Sequence, residues 1–267
     1  MGYGAALAEL DGYRNQGFFI RKDVFAEAEL ERMRAAVEEI HQRINLEADR
    51  GAAPVEQVDD RRYQELLGST IKWEWAEGSR HIRSMEPFHH LHADFDALID
   101  DPRLWEPTLQ VIGAEAVSLF TDKLNFKRPN GAPFPWHQDT PYWAFGCDHL
   151  DRLAGLQIYL DDASTENGCL WVIPSSHLHG MLPPQGDRGV LGKLYTDIGE
   201  LKGEPPLPIE ASAGSVLFFD GNIVHGSKSN RSTQSRRALV ITYQPSGLPR
   251  WRCEEARVPV AERVSAS

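Results

Sequence analysis

SLFTDKLNFKR, residues 118–128, is the first of several short β-prone segments that decide the fold class of this chain. Four more follow it: LAGLQIYLDD (153–162), GCLWVIP (168–174), GSVLFFD (214–220) and RALVITYQP (237–245). Turn-forming sequences such as PNGAP, STENG and DGN separate these segments. Short strands divided by turns in this way predict an all-β core.

The part of the chain that precedes these segments has a helical pattern. Apolar residues recur there every three or four positions, as on one face of an amphipathic helix: Leu30, Met33, Val37, Ile40 and Ile44. Asp23 precedes this stretch and is a candidate N-cap. A second helix is predicted over about 95–113, provided that Pro102 and Pro107 both lie at helix starts.

Helices followed by many short strands predict an all-β core with flanking helices, either a barrel or a two-sheet jelly roll. We expect a single domain over residues 1–267, with mainly helical support over about 1–115 and the jelly-roll core over about 116–246. The stretch 182–207 is rich in glycine, proline and charge and is too long for a simple hairpin. Such a length is typical of a binding loop or lid.

Composition excludes several classes of protein. The 28 basic and 39 acidic residues give a net charge of −11, which argues against a general nucleic-acid or membrane-surface binder. The chain has neither an apolar run of about 18 residues nor a secretory start, so we expect no membrane segment. Three cysteines without a CxxC motif favour a reduced, cytoplasmic enzyme.

The sequence FPWHQDTPYW, residues 134–143, carries a candidate metal site. His137 and Asp139 are two positions apart at the end of a predicted strand, so their side chains are expected on one face. His225 follows the strand GSVLFFD and stands beside a glycine. Two histidines and one carboxylate match the facial triad of non-haem Fe(II) oxygenases. Arg236 begins the next predicted strand, where a guanidinium could bind a dicarboxylate bidentately.

On these residues the chain resembles the phytanoyl-CoA dioxygenase-like family of Fe(II)- and 2-oxoglutarate-dependent oxygenases. The matching stretches lie in the family's order over about residues 10–245: LDGYRNQGFFIRKDVF, KLNFKRPN, PWHQDTPYW, IYLDDASTENGCLWVIPSSH, GSVLFFDGNIVHGSKSN and RRALVITY. The resemblance implies a double-stranded β-helix, the cupin-like jelly roll, with iron at one mouth. It also implies Fe(II), 2-oxoglutarate and O2 as cofactor and co-substrates.

The resemblance also implies roles for individual residues. His137, Asp139 and His225 would be the metal ligands and the catalytic centre. Arg236 would bind the distal carboxylate of 2-oxoglutarate, with Arg237 as the alternative, because strand alternation lets only one of the two face inward. Other residues would contact 2-oxoglutarate or line its pocket: Gln157, Lys123, Asn125 and Lys127. For the last three, which alternate along a predicted strand, a solvated outer face is the alternative.

Four further residues are candidates for substrate binding. Trp143 and Phe145 directly follow the metal motif and could form the pocket wall, although aromatic residues also serve as core packing. His179 follows a turn after Pro174 and could approach the substrate. Arg83 could meet an anionic substrate group or be a surface cation. The histidines His89, His90 and His92 fit no common metal-ligand spacing, and we interpret them as structural or surface residues.

The predicted activity is hydroxylation of an unactivated carbon of a small organic molecule, with release of succinate and CO2. Desaturation, epimerisation or ring formation with the same cofactors is an alternative, as is a cupin-like metal isomerase or binder without 2-oxoglutarate chemistry. By the family resemblance, a carboxylate at Asp139 disfavours halogenation. An acyl-CoA, an amino-acid derivative and a natural product all stay open as substrates. Net acidity mildly disfavours a polyanionic substrate unless a local basic patch is present, and the oligomeric state stays open.

Overall fold

The computed structural model describes residues 2–51, 53–186, 191–199, 201 and 204–252. The α-helices of these residues are α1 (Leu7–Gln16), α2 (Glu27–Asp49), α3 (Ala93–Leu98), α4 (Pro102–Ile112) and α5 (Thr140–Trp143). The strands of the N-terminal half are β1 (Phe18–Arg21), β2 (Glu56–Val58), β3 (Arg61–Leu66), β4 (Ser69–Trp73), β5 (Ile82–Glu86) and β6 (Val117–Asn125). The later strands are β7 (Phe134–His137), β8 (Ala154–Tyr159), β9 (Leu170–Val172), β10 (Leu207–Ile209), β11 (Val216–Asp220), β12 (His225–Ser227) and β13 (Ala238–Pro245).

These strands form two antiparallel sheets. The large sheet has the order β1-β11-β8-β13-β6-β5-β4-β3-β2, and the small sheet has the order β10-β9-β12-β7. Apolar residues of both sheets share one buried cluster, including Leu217 and Phe219 of the large sheet and Val172 and Ile209 of the small one. The two sheets therefore pack face to face, as predicted for a jelly roll.

Helices cover the opposite face of the large sheet. Strand β11 places Leu217 and Phe219 toward the small sheet, whereas Phe218 joins the cluster that includes the apolar face of α2. A strand that is buried on both faces has a continuous apolar sequence, which is why residues 216–219 read Val-Leu-Phe-Phe. The five predicted β-prone segments are all confirmed as strands β6, β8, β9, β11 and β13.

The prediction of a mainly helical region over 1–115 is wrong for its central part. Strands β2 to β5 form a meander that extends the large sheet, because β5 pairs with β6 through Ser84 and Asn125. The β3–β4 hairpin turns at Leu67 and Gly68, both with positive φ (53° and 77°). Two consecutive positive φ values are those of a type I′ turn, whose twist matches that of the flanking strands.

The helix boundaries also differ from the prediction. Helix α2 buries its predicted apolar face, but its N-cap is Ala26 and not Asp23; the Glu29 carboxylate accepts the Ala26 N–H at 2.8 Å. The single helix predicted over 95–113 is two helices, α3 and α4. Asp101 caps α4 by accepting the Arg103 N–H at 2.9 Å, and Pro107 lies inside that helix.

The stretch 182–207 passes along the small sheet in its described part. Tyr195 forms a β-bridge with His137, and the Thr196 N–H donates to the Trp136 carbonyl at 2.9 Å. Residues 187–190, 200 and 202–203 of this candidate lid lie outside the described residues, as does Cys253. Within the described ranges, no helix is long and apolar enough to cross a membrane.

Candidate active site

The three predicted metal ligands meet at one end of the small sheet. His137 ends β7 and pairs in register with His225, the first residue of β12. Asp139 lies beyond the strand, where the chain turns into α5 and the Asp139 N–H donates to the Gly221 carbonyl at 3.0 Å. This turn, and not strand alternation as predicted, brings Asp139 beside His137. One ligand atom from each of the three residues lies within 4.8 Å of the others.

Backbone carbonyls orient both imidazoles. His137 Nδ1 lies 2.7 Å from the Pro135 carbonyl, and His225 Nδ1 lies 3.0 Å from the Ile223 carbonyl. Because a carbonyl can only accept, each Nδ1 carries the proton and each Nε2 presents its lone pair. Metal-binding histidines are commonly fixed in this way.

The ionisation of the triad also suits a divalent cation. Burial, reinforced by His225, lowers the pKa of His137 to about 3, so the imidazole is neutral at physiological pH. Burial raises the pKa of Asp139, but His225, Lys123 and His137 outweigh it and leave this pKa below its ordinary value. Neutral imidazole and ionised carboxylate are the forms that bind metal, so these residues fit an iron ion.

A cavity beside the triad contains the residues predicted to bind 2-oxoglutarate. Its polar lining comprises Arg236, Gln157, Asn125, Lys123 and Ser227. The Arg236 side chain is buried, with 2% of its surface exposed, and its Nε has no hydrogen-bond partner among the described residues. Gln157 Nε2 is likewise unpartnered within the described part of the chain. Buried donors without acceptors cost free energy, and a carboxylate-bearing ligand would satisfy them.

The structure separates Arg236 from its neighbour. Arg237, which directly precedes β13, points away from the cavity and donates hydrogen bonds to Asp161 at 2.8 Å and to Glu38 at 3.1 Å. Arg236 alone of the two lines the cavity. The alternation of side chains along a strand therefore favours Arg236 as the ligand-binding residue.

The three polar residues of the strand around 123–127 have different environments. Lys123 and Asn125 line the cavity, whereas Lys127 lies past the end of β6 and donates from Nζ to Ser227 Oγ at 2.6 Å. Burial, with a contribution from Arg236, lowers the pKa of Lys127 to about 6. Lys127 therefore supports the cavity wall through Ser227 and is neutral at physiological pH.

A second cavity, of about 120 Å³, opens on the other side of the triad. It shares four lining residues with the first: His137, Asp139, Lys123 and Phe134. The predicted substrate residues Arg83 and Trp143 line it. His137 and Asp139 thus line both cavities, one of which contains Arg236 and Gln157 and the other Arg83 and Trp143.

Two predicted substrate residues lie outside both cavities. Phe145 is 56% exposed and lines a separate surface depression with Gly146 and Cys147, because α5 ends at Trp143 and the chain then turns away. His179 is exposed in the turn after Ser176. Neither side chain reaches the triad in this structure.

Several cavity residues were missed from the sequence: Arg61, Tyr63, Lys72, Tyr142 and Tyr195. Three of them belong to the meander that was assigned to helical support. A signal was present in RRYQELLGSTIKW (61–73), where a Leu-Gly turn separates two short runs and the second, STIKW, alternates polar and apolar residues. Alternation places Arg61 and Tyr63, and likewise Thr70 and Lys72, on the face that lines the cavity.

Fold and site together define a non-haem iron oxygenase of the jelly-roll type. Residues 13–238 match the phytanoyl-CoA dioxygenase (PhyH) family, and the chain therefore belongs to this family of Fe(II)- and 2-oxoglutarate-dependent oxygenases. This membership confirms the family expected from the sequence motifs.

Individual relatives share less than a third of their residues with this chain over the matched part. A methylphosphonate hydroxylase of Gimesia maris is 28% identical over 236 residues, which cover 88% of this chain and 79% of the relative. A 2-aminoethylphosphonate dioxygenase of an uncultured bacterium is 30% identical over 168 residues, covering 62% of this chain and only 60% of the relative. The crystal structure of EctD from S. alaskensis with 2-oxoglutarate and 5-hydroxyectoine superposes with a TM-score of 0.67 at 20% identity, covering 95% of this chain and 85% of EctD. At that identity the likeness establishes the fold.

Proposed function

We propose that this protein is a dioxygenase that hydroxylates an unactivated carbon of a small organic molecule and converts 2-oxoglutarate to succinate and CO2. The observation that carries the proposal is that His137, Asp139 and His225 lie together and that two of them, His137 and Asp139, line both cavities. A facial triad leaves three positions of an iron ion open to a co-substrate and O2.

The proposed roles follow from the geometry. His137, Asp139 and His225 hold the iron, which with 2-oxoglutarate and O2 supplies the oxidising chemistry when bound. The carbonyls of Pro135 and Ile223 fix the two rings in the coordinating tautomer. These bonds remove the need to reorient the ligands when the metal binds.

The first cavity would hold 2-oxoglutarate. Arg236 supplies the charge for its distal carboxylate, and the amide of Gln157 supplies a second donor. Lys123 and Asn125 complete the polar lining. Because Arg236 is buried, its charge-assisted hydrogen bonds would be little screened by solvent.

The second cavity would hold the substrate. The cavity has a volume of about 120 Å³, well above the roughly 10–15 Å³ that a single water requires. That size favours a small molecule over an acyl-CoA, and the activities named for the two relatives involve small phosphonates. Trp143 and Arg83 form part of the wall, while Leu191 and Tyr195 of the 182–207 stretch close one side. The chain would therefore act as one catalytic domain in which the described part of this stretch covers the site.

The test is an anaerobic titration of the protein with Fe(II) and then 2-oxoglutarate, followed by visible absorption. A charge-transfer band is expected in the wild type and in D148A, whose side chain is fully exposed. The band should be absent in D139A because the iron is lost. Iron binding without a band in the wild type would contradict 2-oxoglutarate chemistry and favour the cupin-like binder.

A second measurement separates hydroxylation from the other oxidations. With an identified substrate and 18O2, hydroxylation places one labelled oxygen in the product and one in succinate. A product that lacks the label and two hydrogens would contradict hydroxylation and establish desaturation. Succinate release measures turnover in both cases.

A further inference from the structure

We propose that the second cavity recognises a small, doubly charged tetrahedral oxyanion of the phosphonate type, with Lys72 as its principal cation and Arg83 beside it. The inference rests on the proposed function, since it names the substrate class of the same site. We call this cavity the cationic cavity; its charged lining residues are Arg61, Lys72, Arg83, Lys123, Arg252, Glu86 and Asp139.

The charges of the cationic cavity do not balance. Five of its described lining residues are basic and two are acidic, although the chain as a whole carries a net charge of −11. Glu86 lies 3.9 Å from Lys123 Nζ, and Asp139 is a proposed iron ligand. Neither acid is therefore available to the remaining cations. A cation excess that faces a cavity is the arrangement that attracts and retains an anion.

Lys72 is one of the cations of this cavity that have no ion pair with a carboxylate of the described residues, although the charge of Asp60 acts on it. It forms no hydrogen bond or ion pair with the residues that the structure describes, and its ammonium lies 5.5 Å from the centre of the Tyr63 ring. Burial together with Arg61, Arg83 and Lys123 lowers its pKa well below the ordinary value for lysine. Burial and the neighbouring cations both disfavour the charged form of Lys72, so an anion bound between these groups would raise its pKa again and hold the ammonium protonated.

Arg83 adds unused donors to the same wall. Its side chain is 2% exposed, yet within the described ranges Nε and Nη1 have no hydrogen-bond partner. Nη2 donates to the Pro133 carbonyl, and Glu74 is 3.7 Å from Nη1, beyond hydrogen-bond distance. The guanidinium packs over the Phe134 ring, with its carbon 4.0 Å from the ring centre, so the group is held in place before any ligand arrives.

A β-bulge explains why Arg83 faces the cavity at all. Lys72 pairs with Ser84 and Trp73 pairs with Ile82, so Arg83 is the extra residue between the two pairs. Strict alternation would place Arg83 and Ser84 on opposite faces, whereas both line the cavity here. Bulges commonly re-aim one side chain in this manner at functional sites.

Arg61 is a positioning residue in this arrangement. It donates to the Gly192 carbonyl at 2.8 Å and to the Tyr195 hydroxyl, and its guanidinium carbon lies 4.9 Å from the Tyr195 ring centre. These bonds fix the part of the 182–207 stretch that closes the cavity. Its charge still adds to the field at Lys72. One carboxylate would leave this cluster of cations under-neutralised, and a dianion matches it better.

Isothermal titration of the anaerobic Fe(II)–2-oxoglutarate protein at pH 8 tests the inference. The probes are methylphosphonate, which is largely a dianion at that pH, and methanesulfonate, which has the same shape and one charge. We expect methylphosphonate to bind more tightly than methanesulfonate. K72M should weaken methylphosphonate binding about 30-fold or more, because it truncates one partner of a buried charge pair.

Matched variants test whether a loss of methylphosphonate binding in K72M is specific to the charge of Lys72. K22M removes an exposed lysine far from the cavity and should bind methylphosphonate as the wild type does. K72R should retain most of the affinity. Lys72 does not line the 2-oxoglutarate cavity, so the charge-transfer band of K72M should be unchanged, which also shows that the variant is folded.

The outcomes distinguish this inference from the proposed function. Suppose that the wild type shows the charge-transfer band. If methylphosphonate then does not bind, or binds K72M as tightly as the wild type, the dianion site is refuted and the dioxygenase proposal still stands. Equal affinity for the two probes would also refute the dianion site. If no band forms, the dioxygenase proposal fails, and titration of the metal-free protein still decides the anion site: Lys72-dependent binding supports it, and no binding refutes it.

Discussion

Replacing Arg236 with methionine should strongly weaken 2-oxoglutarate binding without destabilising the protein. Among the described residues, the buried guanidinium has no carboxylate within ion-pair distance and its Nε has no hydrogen-bond partner. The substitution removes an uncompensated buried cation, which costs free energy in the absence of ligand. The free energy of unfolding of R236M without 2-oxoglutarate should therefore equal or exceed that of the wild type.

The loss of affinity can be estimated from the burial of the same group. Truncating one partner of a buried, hydrogen-bonded charge pair costs about 2–5 kcal/mol. At about 1.4 kcal/mol for each factor of ten, the dissociation constant of 2-oxoglutarate should rise about 30- to 4,000-fold. Anaerobic titration followed by the charge-transfer band measures this constant directly.

R237M is the matched control, because it removes the same charge from the adjacent residue. Arg237 bonds Asp161 and Glu38 away from the cavity, so its loss should lower the free energy of unfolding by about 2 kcal/mol and leave 2-oxoglutarate affinity unchanged. Wild-type affinity in R236M, combined with lost affinity in R237M, would refute the assignment. Reduced stability of ligand-free R236M would refute the argument that its charge is uncompensated.

Three further predictions concern groups around the site. Lys127 has a pKa of about 6 when folded and about 10.4 when unfolded, so folding releases a proton between these values and stability rises with pH. The free energy of unfolding of the wild type should therefore rise relative to that of K127M by about 1.4 kcal/mol per pH unit from pH 6 to 9 in urea denaturation; a constant difference would contradict the low pKa. Asp122 accepts hydrogen bonds from the Phe88 N–H, the His89 N–H and His89 Nδ1 at 2.6–2.8 Å. In the same assay, D122A should lower the free energy of unfolding by about 3–5 kcal/mol. The control D94A, at an exposed position, should change it by less than about 0.5 kcal/mol. A Cβ at Gly168 (φ 75°) would meet the Lys228 carbonyl and come within 2.7 Å of Lys127 Cε. Gly113 has a similar φ (69°) but no described neighbour within 4 Å, so G113A should lower the free energy of unfolding by about 1–2 kcal/mol and G168A by more. Equal losses in the two variants would show that the close approach at Gly168 is relieved elsewhere.

The strands that frame the site could be predicted from sequence because each is defined by a local pattern. Residues 216–219 are continuously apolar and 30–44 repeat at helical spacing, so the core strands and α2 were identified correctly. The meander over 56–86 was missed, since its strands are short and its charged residues face a cavity. Polar side chains such as Arg61 and Lys72 look like solvent-facing positions in a sequence, whereas the fold turns them toward the triad.

Sequence by itself determined the family, the jelly-roll class and the chemistry of the ligand set, because His137, Asp139 and His225 carry those properties in their own side chains. Only the tertiary structure decided which neighbours reach them. It placed Arg236 inward and Arg237 outward, and it left Phe145 and His179 outside the cavities. It also brought Arg61, Lys72 and Arg83 from three neighbouring strands into one cavity, which is the local basic patch that the net charge alone could not reveal. The physical reason is that net charge is a sum over the whole chain, whereas a ligand responds to the charges within a few ångströms of it.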